Sequence, residues 1–457
     1  MKSVLLAIAF LLFNTVFTHA CGGTPQMYAQ WVLSTNAALA TNAMTMLRGF
    51  GKEGLQALLS AHEQLIAKHN ANDPQWQRLR VALDVVGAQR DCSASRLFWH
   101  TNFNDAKAEA QRSGKPILSL RLLGRLDEEL SCANSRFFRT TLYANKEVSD
   151  YLRDHFVLHW QSVRPVPRIT IDMGDGRKIE RTITGNSIHY VLGTNGEVLD
   201  ALPGLYGPRA FLEKLERAES LFGSLRFQHG PAHDQYIAEF HLQELRAVTQ
   251  RWQNDLGRIN ATTAISHPAT MNGISAAPAN GTRISNAIMS IVFPNAAAAM
   301  PLTASKADVE LPMLRALVPR RAELERSMND ETWAKIAALH PEDGSLDANS
   351  VALIRAKTMN AKDAMRLALS KSRVEDPMLK MIQNLQRSIS EDTVRNEYTF
   401  HAKIHEWLAA AGTSREVDSL NRRVYTELFL TPDTDPWLGL APTDTFSALE
   451  NSGLAQH

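Results

Sequence analysis

The feature that most constrains the fold is an alternation of strand-like and helix-like segments between residues 95 and 220. Pro116 to Leu123 is predicted to be a strand, because leucine at every second position lines one face of an extended chain. Helices are predicted on both sides of it, with a short strand at Arg96 to Trp99 and a tight hairpin turn at Asn195-Gly196. Strands that alternate with helices favour a mixed sheet covered by helices, so we expect an α/β domain here.

The segments on either side of this region are predicted to be helical. Leu55, Leu58 and Leu59 recur at helical spacing before it, and Ile237 and Phe240 do so after it. A later stretch rich in Ala, Asn, Ser, Thr and Pro has no hydrophobic period and is typical of a linker. The predicted organisation is a signal peptide at 1–20, a helical lead-in at 21–91, an α/β domain at 92–221, a helical extension at 222–257, a low-complexity linker at 258–308 and a mainly helical C-terminal region at 309–457.

The N-terminal residues have the pattern of an export signal. Lys2 supplies a positive charge, and Val4 to Phe13 form an apolar run. Thr18 and Ala20 are small residues at the two positions that a signal peptidase recognises. The apolar run is shorter than the ~20 residues of a membrane-spanning helix, and no later run reaches that length. The chain is therefore expected to be periplasmic or secreted, without a transmembrane span.

Cys21 directly follows the predicted cleavage position, which makes it a candidate for lipid attachment. A bacterial lipobox usually has Leu where Thr18 stands, so simple cleavage near Ala20 is the alternative. Lipidation at this cysteine would anchor the mature chain to a membrane. The sequence has three cysteines, and the other two, Cys92 and Cys132, could pair in an oxidising compartment.

The charge balance gives no electrostatic case for nucleic-acid binding. The 457 residues include 49 Lys and Arg against 48 Asp and Glu, for a net charge of +1. The Gly-x-x-x-x-Gly-Lys-Ser/Thr loop that binds nucleotide phosphates, the Gly-x-Ser-x-Gly turn of hydrolases and the Cys-x-x-Cys-His haem motif are absent from the sequence. We therefore expect no nucleotide, haem or other cofactor.

Three short stretches in the α/β region follow one another in a familiar order. Gly114 to Leu118 opens the first long strand, and Cys132-Ala133-Asn134-Ser135 follows that strand at the start of a predicted helix. Asn145 to Val148 then leads into the next strand. In order and wording these stretches resemble the thioredoxin-like superfamily, with a Cys-x-x-Ser site in place of Cys-x-x-Cys. The resemblance is to its exported members and covers residues 92–221.

This resemblance implies thiol–disulfide exchange. Cys132 would be the attacking thiol, because the unpaired N–H groups and the dipole at a helix N-terminus stabilise a thiolate. Ser135 would be a hydrogen-bond partner of that thiolate, and Cys92 a candidate resolving cysteine. The implied partners are extracytoplasmic proteins that carry thiols or disulfides.

A non-catalytic interpretation stays open beside this one. Ser135 stands where the family has its second cysteine, and Asp127 to Glu129 bring negative charge close before Cys132. The stretch 185–189 has no proline, although family members usually carry one there. In this alternative the domain is a scaffold, held by a bridge from Cys92 to Cys132 or by packing alone, and the helical second half binds a protein partner.

The second half contributes two sets of histidines and a turn-rich tail. Glu397, His401 and His405 recur every four residues on a predicted helix, which places three metal-ligand types on one face. Charged residues between them favour an ordinary solvated stripe instead, and the histidines between 229 and 241 have no carboxylate pattern. We therefore expect no metal site. Pro432 to Trp437 is punctuated by prolines and could cover part of the α/β domain.

Overall fold

The structure is a computed structural model of the chain, and it describes residues 23–68, 70–182, 185–265, 330–358, 371–410 and 412–438. The predicted signal peptide, Cys21 and most of the predicted linker lie outside the described residues. Within the described ranges, no helix combines the length and the apolar character needed to cross a lipid bilayer. The chain divides into two compact units, Met1–Phe98 and Trp99–His457.

The first unit is helical and packs around its own apolar core. Leu47, Leu58, Leu79 and Leu83 are completely buried in this core. Asp73 starts a helix by accepting a hydrogen bond from the backbone N–H two residues later, at 2.8 Å. The helices of this unit are α1 (Pro25–Trp31), α2 (Ala37–Gly49), α3 (Lys52–Ala61), α4 (Glu63–Lys68), α5 (Pro74–Gly87) and α6 (Cys92–Ser95).

The second unit contains a mixed four-stranded sheet and a separate hairpin. Its described strands are β1 (Ile117–Leu123), β2 (Val157–Arg164), β3 (Arg168–Asp172), β4 (Lys178–Thr182), β5 (Ser187–Leu192) and β6 (Val198–Pro203). The sheet has the order β2-β1-β5-β6, with β1 parallel to β2 and antiparallel to β5, while β3 and β4 pair only with each other. Every residue of β1 is buried, including the polar Ser119 and the charged Arg121.

Helices cover this sheet and continue through the C-terminal half. They are α7 (Phe103–Ser113), α8 (Ala133–Phe137), α9 (Lys146–His155), α10 (Pro208–Leu225), α11 (Pro231–Ile265), α12 (Asp330–Ala337), α13 (Ala348–Thr358), α14 (Lys371–Arg395), α15 (Ala402–Ala409) and α16 (Val417–Arg423). A 3₁₀ turn spans Pro341–Gly344. Wider π-helical turns follow three of the helices, at Phe138–Leu142 after α8, Asn396–His401 after α14 and Val424–Leu428 after α16.

The predicted mixed α/β class is confirmed, and most local predictions with it. The strand predicted over residues 116–123 is β1, and the predicted hairpin joins β5 to β6 with Gly196 at a φ of 93°, which glycine adopts without strain. The short strand predicted at Arg96 to Trp99 is wrong. Arg96 has a φ of 56° and ends α6, so the chain turns in the left-handed region there instead of extending.

The C-terminal helices belong to the same compact unit as the sheet. Arg121 of β1 forms an ion pair with Asp418 of α16 at 3.1 Å, although Arg121 itself is almost completely buried. Tyr190 of β5 donates a hydrogen bond to Asn421 of the same helix at 3.3 Å. Because a buried guanidinium is costly without a partner, these contacts tie α16 firmly to the sheet.

Candidate functional site

Cys132 lies at the N-terminal end of α8, one loop after β1. Its backbone N–H donates to the carbonyl oxygen of Leu123 at 3.3 Å, which joins the helix start to the strand end. The residue is 0 % exposed, and so is Ser135. The hydroxyl of Ser135 donates to the hydroxyl of Ser131 at 2.9 Å. Ser135 was predicted to form a hydrogen bond with a Cys132 thiolate. Its hydroxyl instead donates to Ser131, in the turn that precedes the helix.

A buried arginine forms hydrogen bonds with the backbone of the acidic loop before Cys132. Arg139, in the π-helical turn after α8, donates to the carbonyl oxygens of Glu128 at 2.9 Å and Glu129 at 3.3 Å. The side chains of both glutamates are about half exposed. The backbone of the loop is thus fixed by hydrogen bonds, while its acidic side chains form ion pairs with Arg125, Arg168 and Lys357.

Residues 424–438, here called the C-terminal cover, are fastened to the end of β2. The guanidinium of Arg164 donates to the carbonyl oxygens of Thr431 and Asp435, each at 3.0 Å. The side-chain amide of Asn186, in the loop before β5, donates to the hydroxyl of Thr431 at 3.1 Å. These contacts confirm the expectation that the tail covers part of the α/β domain.

Two buried tyrosines lie close to the thiol of Cys132. Burial raises the pKa of Tyr425, which belongs to the cover, and the nearby charge of a Cys132 thiolate raises it further. The same two causes raise the pKa of Tyr143. The hydroxyl of Tyr425 also donates to the carbonyl oxygen of Asn186 at 3.0 Å. The cover therefore contacts the loop before β5, and its Tyr425 is electrostatically coupled to Cys132.

Cys92 is buried in the core of the helical unit. Its backbone N–H donates to the carboxylate of Asp84 at 3.0 Å, and its thiol donates to the carbonyl oxygen of Leu97 at 3.6 Å. Burial, and then the charge of Asp84, raise the pKa of this thiol far above its usual range. Cys92 and Cys132 are both thiols, so the bridge that the sequence left open is not formed here.

A second group of reactive side chains is buried within the sheet-containing unit. We call it the buried histidine cluster, and its members are Asp200 from β6, His241 from α11, Glu397 and His401 from the π-helical turn after α14, and His405 from α15. Each of these residues is at most 5 % exposed. The interpretation of Glu397, His401 and His405 as a solvated stripe is therefore wrong, because α11 and β6 cover that face of the helix.

His401 lies between two carboxylates. Its Nδ1 is 3.0 Å from Glu397 Oε2, and its Nε2 is 3.1 Å from Asp200 Oδ1. Burial alone would lower the pKa of His401, but the two carboxylates outweigh burial and raise it to about 9. Burial would likewise raise the pKa of Asp200, and His401 reverses this effect and lowers it. A proton shared along the contact between Asp200 and His401 accounts for both directions.

His241 and His405 face each other through their Nδ1 atoms, and the hydrogen bonds around them fix the tautomer of each ring. His241 Nε2 is 2.9 Å from the carbonyl oxygen of Leu199, which can only accept, so this nitrogen carries a proton. Burial lowers the pKa of His241 to about 4, so the ring is neutral and its Nδ1 has a lone pair. That lone pair faces His405 Nδ1 at 2.9 Å, so His405 Nδ1 must donate.

The charge of Glu397 is already balanced within the protein. Lys214 donates to its Oε1, and Arg251 donates to the same oxygen at 2.7 Å. Burial alone would raise the pKa of Glu397, but Lys214, His401 and Arg251 lower it well below its usual value. Glu397 is therefore an anion that orients His401 and is held by two cations.

The cluster has the dimensions of a site for a single ion. One ligand atom from each of Asp200, His401 and His405 lies within 4.8 Å of the other two. The sequence displays the stripe from 397 to 405, but it contains no signal that joins the other members to it. Asp200 lies 201 positions from His401, and His241 lies 164 positions from His405, so only the tertiary fold brings them together.

Three comparisons with known proteins complete the description of the chain. A scan against protein-family models found no match, and neither did a search of curated proteins or a search of solved structures. The chemistry of the two sites must therefore be argued from the residues of this chain alone.

Proposed function

We propose that the protein is an exported, non-catalytic scaffold with a thioredoxin-like domain, and that Cys132 is one of its core residues. The export signal at residues 1–20 supports delivery to the bacterial envelope. Of the two functions that the sequence leaves open, this is the one that the surroundings of Cys132 favour. Thiol–disulfide exchange is the alternative function, and the labelling rate of Cys132 distinguishes the two.

The order of elements supports the thioredoxin-like assignment. β1 leads into the helix headed by Cys132, β2 returns parallel to β1, and β5 and β6 form an antiparallel hairpin that leads into α10. This is the order on which the resemblance rests, except that the first strand, expected at Arg96 to Trp99, is not among the described strands. The hairpin of β3 and β4 is an addition between β2 and β5, and it makes no pair with the main sheet.

The burial of Cys132 is the observation that carries the proposal. A thiolate that attacks a disulfide must reach the partner's sulfur, so the attacking cysteine has to be accessible. Cys132 is 0 % exposed, and the cover brings Tyr425 close to it. The thiol therefore has no exposed surface at which a partner's disulfide could meet it, which favours a domain that keeps its shape without its chemistry.

The experiment that tests this proposal is the alkylation rate of Cys132 in the folded protein, read by peptide mass spectrometry. Cys92, buried in the other unit, serves as the internal control. We expect both thiols to react slowly in the native protein and rapidly in denaturant. The substitution Arg164→Ala removes charge-assisted hydrogen bonds worth about 1.5–3 kcal/mol. It should speed the labelling of Cys132 about tenfold or more and leave that of Cys92 unchanged.

Rapid labelling of Cys132 in the native wild-type protein would overturn the proposal. If its pH midpoint also lay clearly below ~8.5, a poised thiolate and a thiol-exchange function would be supported instead. Equal acceleration of both cysteines by Arg164→Ala would mean that the substitution unfolds the chain globally. In that case Asn186→Ala, which removes a single bond to the cover, replaces it as the test variant.

A further inference from the structure

We propose that Asp200, His401 and His405 bind one divalent transition-metal ion inside the sheet-containing unit, with Glu397 and His241 orienting the two histidines. Nothing in this proposal depends on Cys132, so it stands or falls separately from the scaffold function. Its basis is the arrangement of donor atoms in the buried histidine cluster.

His405 has a lone pair on its Nε2 atom that a metal ion could use. Its Nδ1 carries the proton that is donated to His241, so in the neutral ring Nε2 has no proton. This Nε2 is completely buried and has no hydrogen-bond partner in the protein. A buried, unprotonated imidazole nitrogen without a donor is what a metal ion requires.

His401 is the second proposed ligand of the metal ion. Histidines that bind metals commonly donate their other ring nitrogen to a carboxylate, which fixes the ring and makes the ligand more basic. His401 has this arrangement, with Nδ1 on Glu397 and Nε2 directed at Asp200. In the absence of a metal, a proton occupies the contact between His401 and Asp200. A metal ion would replace this proton and be bound by both residues.

The separations between the proposed ligand atoms are close to those found around a single tetrahedral metal ion. Ligand atoms at about 2.0–2.1 Å from a tetrahedral zinc ion lie roughly 3.4 Å from one another. Asp200 Oδ1 and His401 Nε2 are already 3.1 Å apart, and a ring nitrogen of His405 lies within 4.8 Å of a ligand atom of each of these two residues. The rings of His401 and His405 lie 4.0 Å apart at their centroids. A side-chain adjustment of about an ångström brings the third ligand to the ion.

The donor set restricts the choice of metal. Two imidazole nitrogens and one carboxylate are typical of zinc and of non-haem iron, whereas Ca²⁺ and Mg²⁺ prefer ligands that are all oxygen. The three ligands are buried together with the balanced Glu397, so the ion would be enclosed by protein. Zinc is the first probe because it needs no control of the redox state.

The test measures the metal content of the untagged, full-length protein purified from cells grown with added zinc and iron. We expect about one zinc or iron ion per chain by elemental mass spectrometry. The substitution His405→Asn keeps an N–H at the position of Nδ1 for His241 but removes the Nε2 ligand. It should lower the metal content at least tenfold, and Asp200→Asn should do the same.

The chain offers a closely matched control in His159 of β2. His159 is also completely buried, makes its one hydrogen bond through Nδ1 to the hydroxyl of Ser119, and has no partner at Nε2. His159→Asn therefore makes the same chemical change outside the cluster. We expect it to leave the metal content at the wild-type level.

A second measurement covers the case in which His405→Asn does not fold. Wild-type protein refolded with Co²⁺ should show the visible absorption bands of a cobalt ion bound to nitrogen and oxygen, and added zinc should remove them. Metal-free wild-type protein with no cobalt spectrum would overturn the proposal and leave the cluster as a polar network held by protons. So would a metal content that His405→Asn and His159→Asn reduce equally.

Discussion

At the residue scale, Asp84 shows how a buried charge is kept in the helical unit. Its carboxylate accepts hydrogen bonds from the backbone N–H of Cys92 at 3.0 Å and from Arg90 at 3.1 Å. Burial raises the pKa of Asp84 to about 6 in spite of these two partners. The ionised carboxylate is therefore more costly in the folded chain than in the unfolded one, where its pKa is near 3.8.

This shift predicts how stability depends on pH. Between the unfolded pKa of 3.8 and the folded pKa of about 6, the native state binds the proton of Asp84 more tightly. The free energy of unfolding should therefore fall as the pH rises through this window, by about 3 kcal/mol from this group. Asp84→Asn retains an acceptor for the N–H of Cys92 but cannot ionise. Urea unfolding of both proteins from about pH 4 to about pH 7 measures the difference.

The comparison between the two proteins is the control, since every other group titrates in both. A difference in unfolding free energy that does not change across the window would show that Asp84 is not the group responsible.

At the scale of elements, the start of α10 illustrates close backbone packing. Gly207 lies at the N-cap of this helix, and its N–H donates to the hydroxyl of Thr393 on α14 at 2.8 Å. A Cβ atom at this position would lie 1.3 Å from the carbonyl oxygen of Asp343 in the 3₁₀ turn. Its φ of −69° is ordinary, so the requirement for glycine comes from packing and not from backbone conformation.

Gly207→Ala should therefore destabilise the protein by about 3 kcal/mol or more, the upper end of the cost of overpacking. Gly223, near the other end of α10, has nothing within 4 Å of the same atom. Gly223→Ala should be neutral or stabilise by about 0.5–1 kcal/mol through helix propensity. Thermal unfolding of the two variants checks both effects, and similar melting temperatures for them would contradict this account of the packing.

The elements that sequence reasoning could find are those with local signals. β1 follows from its alternating leucines, and the β5–β6 hairpin follows from Asn195-Gly196. The strand expected at Arg96 to Trp99 failed, because a left-handed turn at Arg96 has no signature in the residue itself. The stripe at Glu397, His401 and His405 was visible, but its burial depends on elements more than 150 positions away.

At the scale of the whole molecule, the added hairpin of β3 and β4 exposes a set of apolar side chains. Ile171 and Ile179 are paired across its two strands, and Met173 follows two positions later on the same face. These three side chains are 38 %, 39 % and 54 % exposed, so they form an apolar ladder in solvent. Where exposed apolar side chains form a contiguous patch, they mark candidate sites of contact with other proteins or membranes.

A photoreactive amino acid at position 173 should therefore form adducts with another protein in the producing cells. The same residue at Thr170, which is exposed on the opposite face of the hairpin, is the matched control and should form none. Gel analysis of the two variants measures this difference. Equal yields from the two positions, or none from either, would contradict binding through the apolar ladder.

The C-terminal cover is synthesised long after Cys132. Ribosomes extend chains at roughly 5–20 residues per second, so Cys132 is made tens of seconds before residues 424–438 exist. During this interval the hydrogen bonds from Arg164 to the carbonyl oxygens of the cover cannot form. With Ser135 three positions on, no disulfide can form within the Cys-x-x-Ser stretch, and in the folded chain Cys92 and Cys132 are both thiols.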